Sequence, residues 1–153
     1  DDPATSIVGS VLIAPATFDA NAQGPNYEER FGVALDDLMQ QASAMAPDDI
    51  MEVPGFVYCE QAKASAASFI DYYTPDPRRD TPTNLTQVSS IPVAVVAGSE
   101  DDVVAELPDR MEATDGLGDN ITFEMIDGAD HFFRDLYADD VSLVIVDMIE
   151  ALE

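Results

Sequence analysis

The chain has 153 residues, 46% of them hydrophobic, with 31 acidic side chains against 6 basic ones and a formal net charge of −25. That is one domain's worth of chain with enough apolar residues for a core, which excludes intrinsic disorder. One lysine (Lys63) and five arginines exclude a basic nucleic-acid-binding face, no apolar run approaches the ~20 residues of a membrane span, and a single cysteine, Cys59, excludes an internal disulfide and a cysteine-based zinc cluster.

In chain order, residues 7–14 (Ile-Val-Gly-Ser-Val-Leu-Ile-Ala) form a nearly continuous apolar run stopped by Pro15. That pattern predicts a buried parallel strand. A polar loop with Gly, Pro and Asn covers 17–25. From Tyr27 to Met45, the apolar residues Phe31, Ala34, Leu35, Leu38, Met39 and Ala42 recur at three and four, predicting one helix that Pro47 ends. The Ala-rich stretch 62–73 predicts a second helix. Pro75, Pro77 and Pro82 then predict a stiff, extended connector holding Arg78 and Arg79. Residues 91–97 (Ile-Pro-Val-Ala-Val-Val-Ala) predict a second buried strand, with Pro92 near its start where a missing donor is tolerated. A helix at about 105–114 and a turn at 115–120 follow. Residues 121–126 (Ile-Thr-Phe-Glu-Met-Ile) alternate enough to predict a third strand near a sheet edge. A last helix over about 139–152 is expected to bury Val141, Val144, Ile145, Met148, Ile149 and Leu152 on one face.

Strands separated by helices imply right-handed crossovers and a mainly parallel sheet. The expected fold is α/β, a three-layer α/β/α arrangement of at least three strands, with helical cap-like material at about 27–74. Such sheets carry their chemistry at the carboxyl ends of the strands.

The acidic residues come in pairs (Glu28-Glu29, Asp36-Asp37, Asp48-Asp49, Asp101-Asp102, Asp139-Asp140), and Asp outnumbers Glu by 21 to 10. No run reaches the length that marks a disordered tail. A folded chain of this charge repels itself until salt shortens the Debye length to ~3 Å near 1 M. The composition resembles that of proteins from salt-accumulating halophiles. It favours the cytoplasm of such a cell, with export left open. The best calcium-loop candidate, Asp19 to Gly24, has Arg30 where the bidentate Glu belongs and an apolar run in place of the leading helix, so no metal site is expected there.

Two strand ends carry chemically capable residues. The second strand runs into Gly98-Ser-Glu-Asp101-Asp102 and the third into Asp127-Gly128-Ala-Asp130-His131-Phe132-Phe133. His131 is the only histidine in the chain. Both loops belong on the same side of one parallel sheet. A carboxylate beside imidazole fixes the ring's tautomer and stabilises the imidazolium formed during proton transfer.

These residues carry a resemblance. The run Ile91 to Val104, whose Gly98 stands thirty residues before the glycine of Asp-Gly-Ala-Asp-His-Phe-Phe, resembles the C-terminal part of an α/β-hydrolase, nearest to the serine esterase and dienelactone-hydrolase-like branches. Those enzymes end in a strand, a Gly-x-x-Asp turn, a helix, a strand, a Gly-x-x-His turn and a last helix. Gly98-x-x-Asp101 and Gly128-x-x-His131 match the two turns. The match is strong over 91–152, plausible over 7–15, which looks like the strand after the nucleophile helix, and weak over 17–85, a variable cap-like insertion in the single domain 1–153. The resemblance implies Asp101 as triad acid, with Asp102 as fallback, His131 as base, a small-molecule ester or acyl substrate, and no metal or organic cofactor. Asp127 and Asp130 are read as turn or surface residues, and Phe132 and Phe133 as packing residues.

The family's nucleophile sits in Gly-x-Ser-x-Gly, a strained strand-to-helix turn. The chain has no such motif, and no His-Gly-Gly-Gly-like oxyanion segment. Ser10 falls within the first strand, and Ser65 and Ser68 within a helical stretch. The expectation is that nucleophile and oxyanion donors lie upstream, and that an open strand edge at 7–14 meets that missing half or favours self-association. Two alternatives stand beside it. One is a non-catalytic, hydrolase-derived binding or assembly domain. The other is a small enzyme with Cys59 heading a strand–turn–helix elbow, although Val57 and Gln61 are large for the flanking positions and Glu60 sets a negative charge beside the thiol.

Overall fold

The structure, a computed structural model, describes residues 7–56, 59–88 and 90–152. In chain order its elements are strand β1 (Ser10–Ile13), helices α1 (Gln23–Phe31) and α2 (Leu35–Ser43), strands β2 (Ile50–Val53) and β3 (Ala62–Ser65), helices α3 (Ala66–Tyr73) and α4 (Thr81–Leu85), strand β4 (Val93–Gly98), helix α5 (Leu107–Ala113), strand β5 (Ile121–Ile126) and helix α6 (Leu136–Ala151). They fall into two compact units, one of residues 1–17 and 77–153, the other of Phe18–Asp76.

The first unit is the sheet unit. Its three strands among the described residues are parallel in the order β1-β4-β5, with Ser10 opposite Val93 and Val93 opposite Ile121. All six residues of β4 are buried, as its unbroken apolar run demands of a central strand covered on both faces. Val93, Val95 and Ala97 face one way, onto Leu85 of α4 and Leu107 and Met111 of α5. Val96 faces the other way, onto Ile126, Ala129, Phe133 and Val141 of α6. Helices on both faces of a parallel sheet make the three-layer α/β fold that the strand–helix alternation predicts. β5 pairs only with β4 among the described residues, which agrees with its alternating sequence.

Two expectations for this unit need correction. Residues 77–85 are not an extended connector. Pro77–Arg79 form a 3-10 turn and α4 follows at once, with Pro82 in its first turn, where a missing N–H costs no bond. The segment is held by buried Asp80, which accepts hydrogen bonds from Thr83 and from the Arg110 guanidinium of α5. The last helix also buries less than its stripe suggests. Val141 is buried and Val144 and Met148 are half-buried, but Ile145, Ile149 and Leu152 are exposed. The three strands among the described residues make too narrow a sheet to cover the whole stripe. The side chains of Met148 and Leu152 lie beside Gly9, at the entry to β1.

The second unit has its own core of Tyr27, Leu35, Leu38, Ala42, Met51, Val53, Ala64, Ala66, Phe69 and Tyr73. It is not wholly helical, because β2 and β3 form an antiparallel pair with Ile50 opposite Ser65 and Val53 opposite Ala62. The single helix expected over 27–45 is two. Gly32 stops α1 in the left-handed conformation (φ 69°), and its N–H bonds to the Glu28 carbonyl. Only glycine adopts that conformation without a Cβ penalty. The helix expected over 62–73 starts late, because residues 62–65 pair with β2 and the Ser65 hydroxyl then caps α3 by accepting the Ser68 N–H. Cross-strand pairing overrides the alanine propensity there.

Candidate active site

β4 and β5 are adjacent and parallel, so the turns that follow them emerge at the same end of the sheet. Three contacts clamp those turns together. The Ser99 N–H donates to Ile126 O at 3.1 Å, the Glu100 N–H donates to Ala129 O at 3.0 Å, and the Gly128 N–H donates to the Ser99 hydroxyl at 2.8 Å. This close approach explains both glycines. A Cβ on Gly98 would sit 2.3 Å from the Ala129 carbonyl oxygen. Gly128 has φ 79°, and a Cβ there would meet the Tyr137 hydroxyl at 2.7 Å.

The clamp brings the two candidate residues together. The Asp101 Oδ2 lies 2.9 Å from His131 Nδ1. The Asp101 side chain is 2% exposed and that of His131 15%. The other carboxylate oxygen, Oδ1, accepts the backbone N–H groups of Val103 at 2.8 Å and Val104 at 3.1 Å. Both oxygens of this buried carboxylate are therefore satisfied, and its rotamer is fixed by the backbone at the start of the next turn. With Nδ1–H donating to Asp101, the neutral ring's lone pair sits on Nε2, the arrangement a general base needs. Asp102, the fallback acid, is exposed and does not take this place.

Backbone strain collects at the same end of the sheet. The non-glycine residues with positive φ among those described are Ala14, after β1, and Phe133 and Asp135, after His131. A bulky residue in that region costs on the order of 1–3 kcal/mol. Phe133 adopts it while burying its ring against Val96, Ile126 and Val141.

The neighbouring residues take turn roles. Asp130 accepts the Phe132 N–H at 2.9 Å and lies 3.9 Å from Arg134, and Asp127 accepts the Ser99 hydroxyl at 3.3 Å. Phe132 departs from the packing role expected of it. It is 57% exposed, its ring stands edge-on to His131 with centroids 5.4 Å apart, and Arg134 lies over its face at 4.7 Å. Two adjacent phenylalanines carry no sequence signal as to which one packs. Ser99 is a second residue that sequence reasoning missed, because its partners Asp127 and Gly128 stand in the other turn.

The other candidates are placed differently. Cys59 is exposed, forms a bridge with Phe56, and is followed by β3, with the next helix starting only at Ala66. It does not head a strand–turn–helix elbow; Val57 and Tyr58 lie outside the described residues. Ser65 does sit between a strand and a helix rather than inside one. Its φ of −69° is an ordinary N-cap, without the strain of a nucleophile elbow. Ser10 opens β1. The Asp19 carboxylate accepts the Asn21 N–H at 2.8 Å, so residues 19–24 lead into α1 as an Asx turn. Among the described residues no three His, Cys, Asp or Glu side chains cluster as metal ligands, and no helix is long and apolar enough to cross a membrane.

No family model matches the sequence, and no curated protein matches it. Among solved structures the chain is similar to E-2-(acetamidomethylene)succinate hydrolase, with a TM-score of 0.49 and 16% identity over 94% of this chain and 58% of that one. It is also similar to the protein designated non-heme bromoperoxidase BpoC from Mycobacterium tuberculosis H37Rv, with a TM-score of 0.49 and 15% identity over 99% of this chain and 61% of that one. The chain thus spans about three-fifths of the length of each.

Proposed function

We propose that the chain supplies the acid–base pair of an α/β-hydrolase acting on carboxylic esters or related acyl compounds, with a serine nucleophile carried by a segment outside these residues. The observation that carries the reading is the 2.9 Å contact between a buried Asp101 and His131 on adjacent turns at the carboxyl ends of parallel strands. The two glycine-led turns stand in the order the hydrolase resemblance implies, acid before base.

In this reading His131 Nε2 takes the hydroxyl proton as the serine oxygen bonds to the acyl carbon, and the carbonyl π electrons move onto oxygen. Collapse of that adduct breaks the bond to the leaving alkoxide, which receives the same proton from Nε2. Water then attacks the acyl-enzyme by the same route, releasing the acid and restoring serine. Asp101 holds the ring and stabilises the imidazolium in both halves. The segment bearing the nucleophile would pair with β1. Ser10 N–H bonds to Pro92 O at 3.1 Å and Ala14 N–H to Val96 O at 2.8 Å, so these residues turn toward β4. The strand's period of two directs the backbone of Val11 and Ile13 to the opposite edge. The exposed flank of α6 formed by Ser142, Ile145, Val146 and Ile149 carries no charge, although the chain's net charge is −25.

The test is turnover of p-nitrophenyl acetate in molar KCl by the chain, by Cys59→Ala and by His131→Ala. The reading expects no acyl burst from any of them, because a base without a nucleophile and oxyanion donors cannot form the intermediate. A burst lost in both variants would overturn it and make Cys59 the nucleophile.

A further inference from the structure

We propose that Ser99 is a positioning residue, whose hydroxyl locks the turn bearing His131 onto the turn bearing Asp101. The inference rests on the observed contact between those two side chains and is independent of the hydrolase reading.

Asp101 is already fixed by its own backbone neighbours, the Val103 and Val104 N–H groups. His131 is carried by the turn that follows β5, and the residues just before it seat against the end of β4 through the bond from the Glu100 N–H to Ala129 O. Main-chain bonds hold that segment at two points, Ile126 and Ala129. Between them lies Gly128, where the chain reverses at φ 79°. A side chain holds this point. The Gly128 N–H donates to Ser99 Oγ at 2.8 Å, and the Ser99 hydroxyl donates in turn to Asp127 Oδ1 at 3.3 Å. The second bond orients the first, because a hydroxyl whose proton is committed to Asp127 presents its lone pairs to Gly128. Asp127 thereby acts through Ser99. Ser99 is itself exposed, so its removal opens no cavity in the core. Its effect is on the register of two turns. A shift of a few tenths of an ångström in the 2.9 Å contact decides whether Nδ1–H is held by the carboxylate.

His131 is the only histidine, so its ring signals are unambiguous. Long-range 15N–1H NMR at alkaline pH reads the tautomer of the neutral ring directly. The expected result is a single Nδ1–H tautomer in the unaltered chain and a mixture with Nε2–H in Ser99→Ala. Ser99→Thr, which keeps the hydroxyl, restores the single tautomer, and Asp101→Asn serves as the reference for a lost acceptor. Hydrogen exchange at the Gly128 amide accelerates by up to about tenfold in Ser99→Ala, the scale of one hydrogen bond, while the β4 amides keep their protection. A purely structural serine could change exchange but would leave the tautomer alone. An unchanged single tautomer in Ser99→Ala, or a mixture that Ser99→Thr does not reverse, would overturn the proposal.

Discussion

At the scale of single residues, the site depends on what is absent at Gly98. The end of β4 and the turn before His131 touch backbone to backbone, and a methyl group there would sit 2.3 Å from a carbonyl oxygen. A main-chain atom in that position cannot rotate away as a flexible side chain would. Gly98→Ala should therefore cost on the order of 1–3 kcal/mol, as overpacking does, and should pull His131 from Asp101. Chemical denaturation measures the first effect and the His131 tautomer the second. This part of the site was legible in the sequence, because each glycine stands three residues before the group it positions. Phe132 and Ser99 were not legible. Which of two adjacent phenylalanines turns inward depends on the positive φ at Phe133, and the Ser99 contact crosses between turns that are distant in sequence.

At the scale of elements, periodicity located the parallel strands and failed where local geometry overrode it. The stripe over 27–45 continues through Gly32, yet the left-handed cap at that glycine divides the helix. The strand β2 went unread, because four residues with only two buried carry little pattern. The helices and strands of the 18–76 unit meet in an aromatic cluster in which the hydroxyls of Tyr27 and Tyr73 both donate to the Gly55 carbonyl, at 3.1 and 3.3 Å. Burial raises the pKa of both phenols, and for Tyr73 the neighbouring Tyr27 and Tyr72 add to the rise. Above the ordinary tyrosine value of ~10 the unfolded chain loses these protons while the folded chain keeps them, so the unfolded state binds fewer. This contribution to stability is complete below pH ~10 and declines as pH rises beyond it. Urea midpoints followed by tyrosine fluorescence should fall above that pH, and Tyr73→Phe should flatten the fall.

At the scale of the whole molecule, charge is the dominant fact. The buried acids among the described residues are Asp80 and Asp101, and each has partners. Most of the remaining negative charge lies on or near the surface. Screening should therefore stabilise the fold, and melting temperature should rise between 0.1 M and 2 M KCl. An equal or lower value at high salt would contradict the halophile reading. The role proposed for Asp101 and His131 is that of an acid–base pair that needs a nucleophile from elsewhere. It is tested most directly by extending the chain at its N-terminus with a strand–Gly-x-Ser-x-Gly–helix segment and treating it with a fluorophosphonate. The adduct is then located by mass spectrometry. The account predicts no adduct on the unextended chain and one adduct, on the added serine, in the extended chain. His131→Ala should slow the labelling by about 10²–10⁴-fold, the range of general-base catalysis. Labelling of the unextended chain that depends on His131, or labelling of the extended chain that does not, would contradict it.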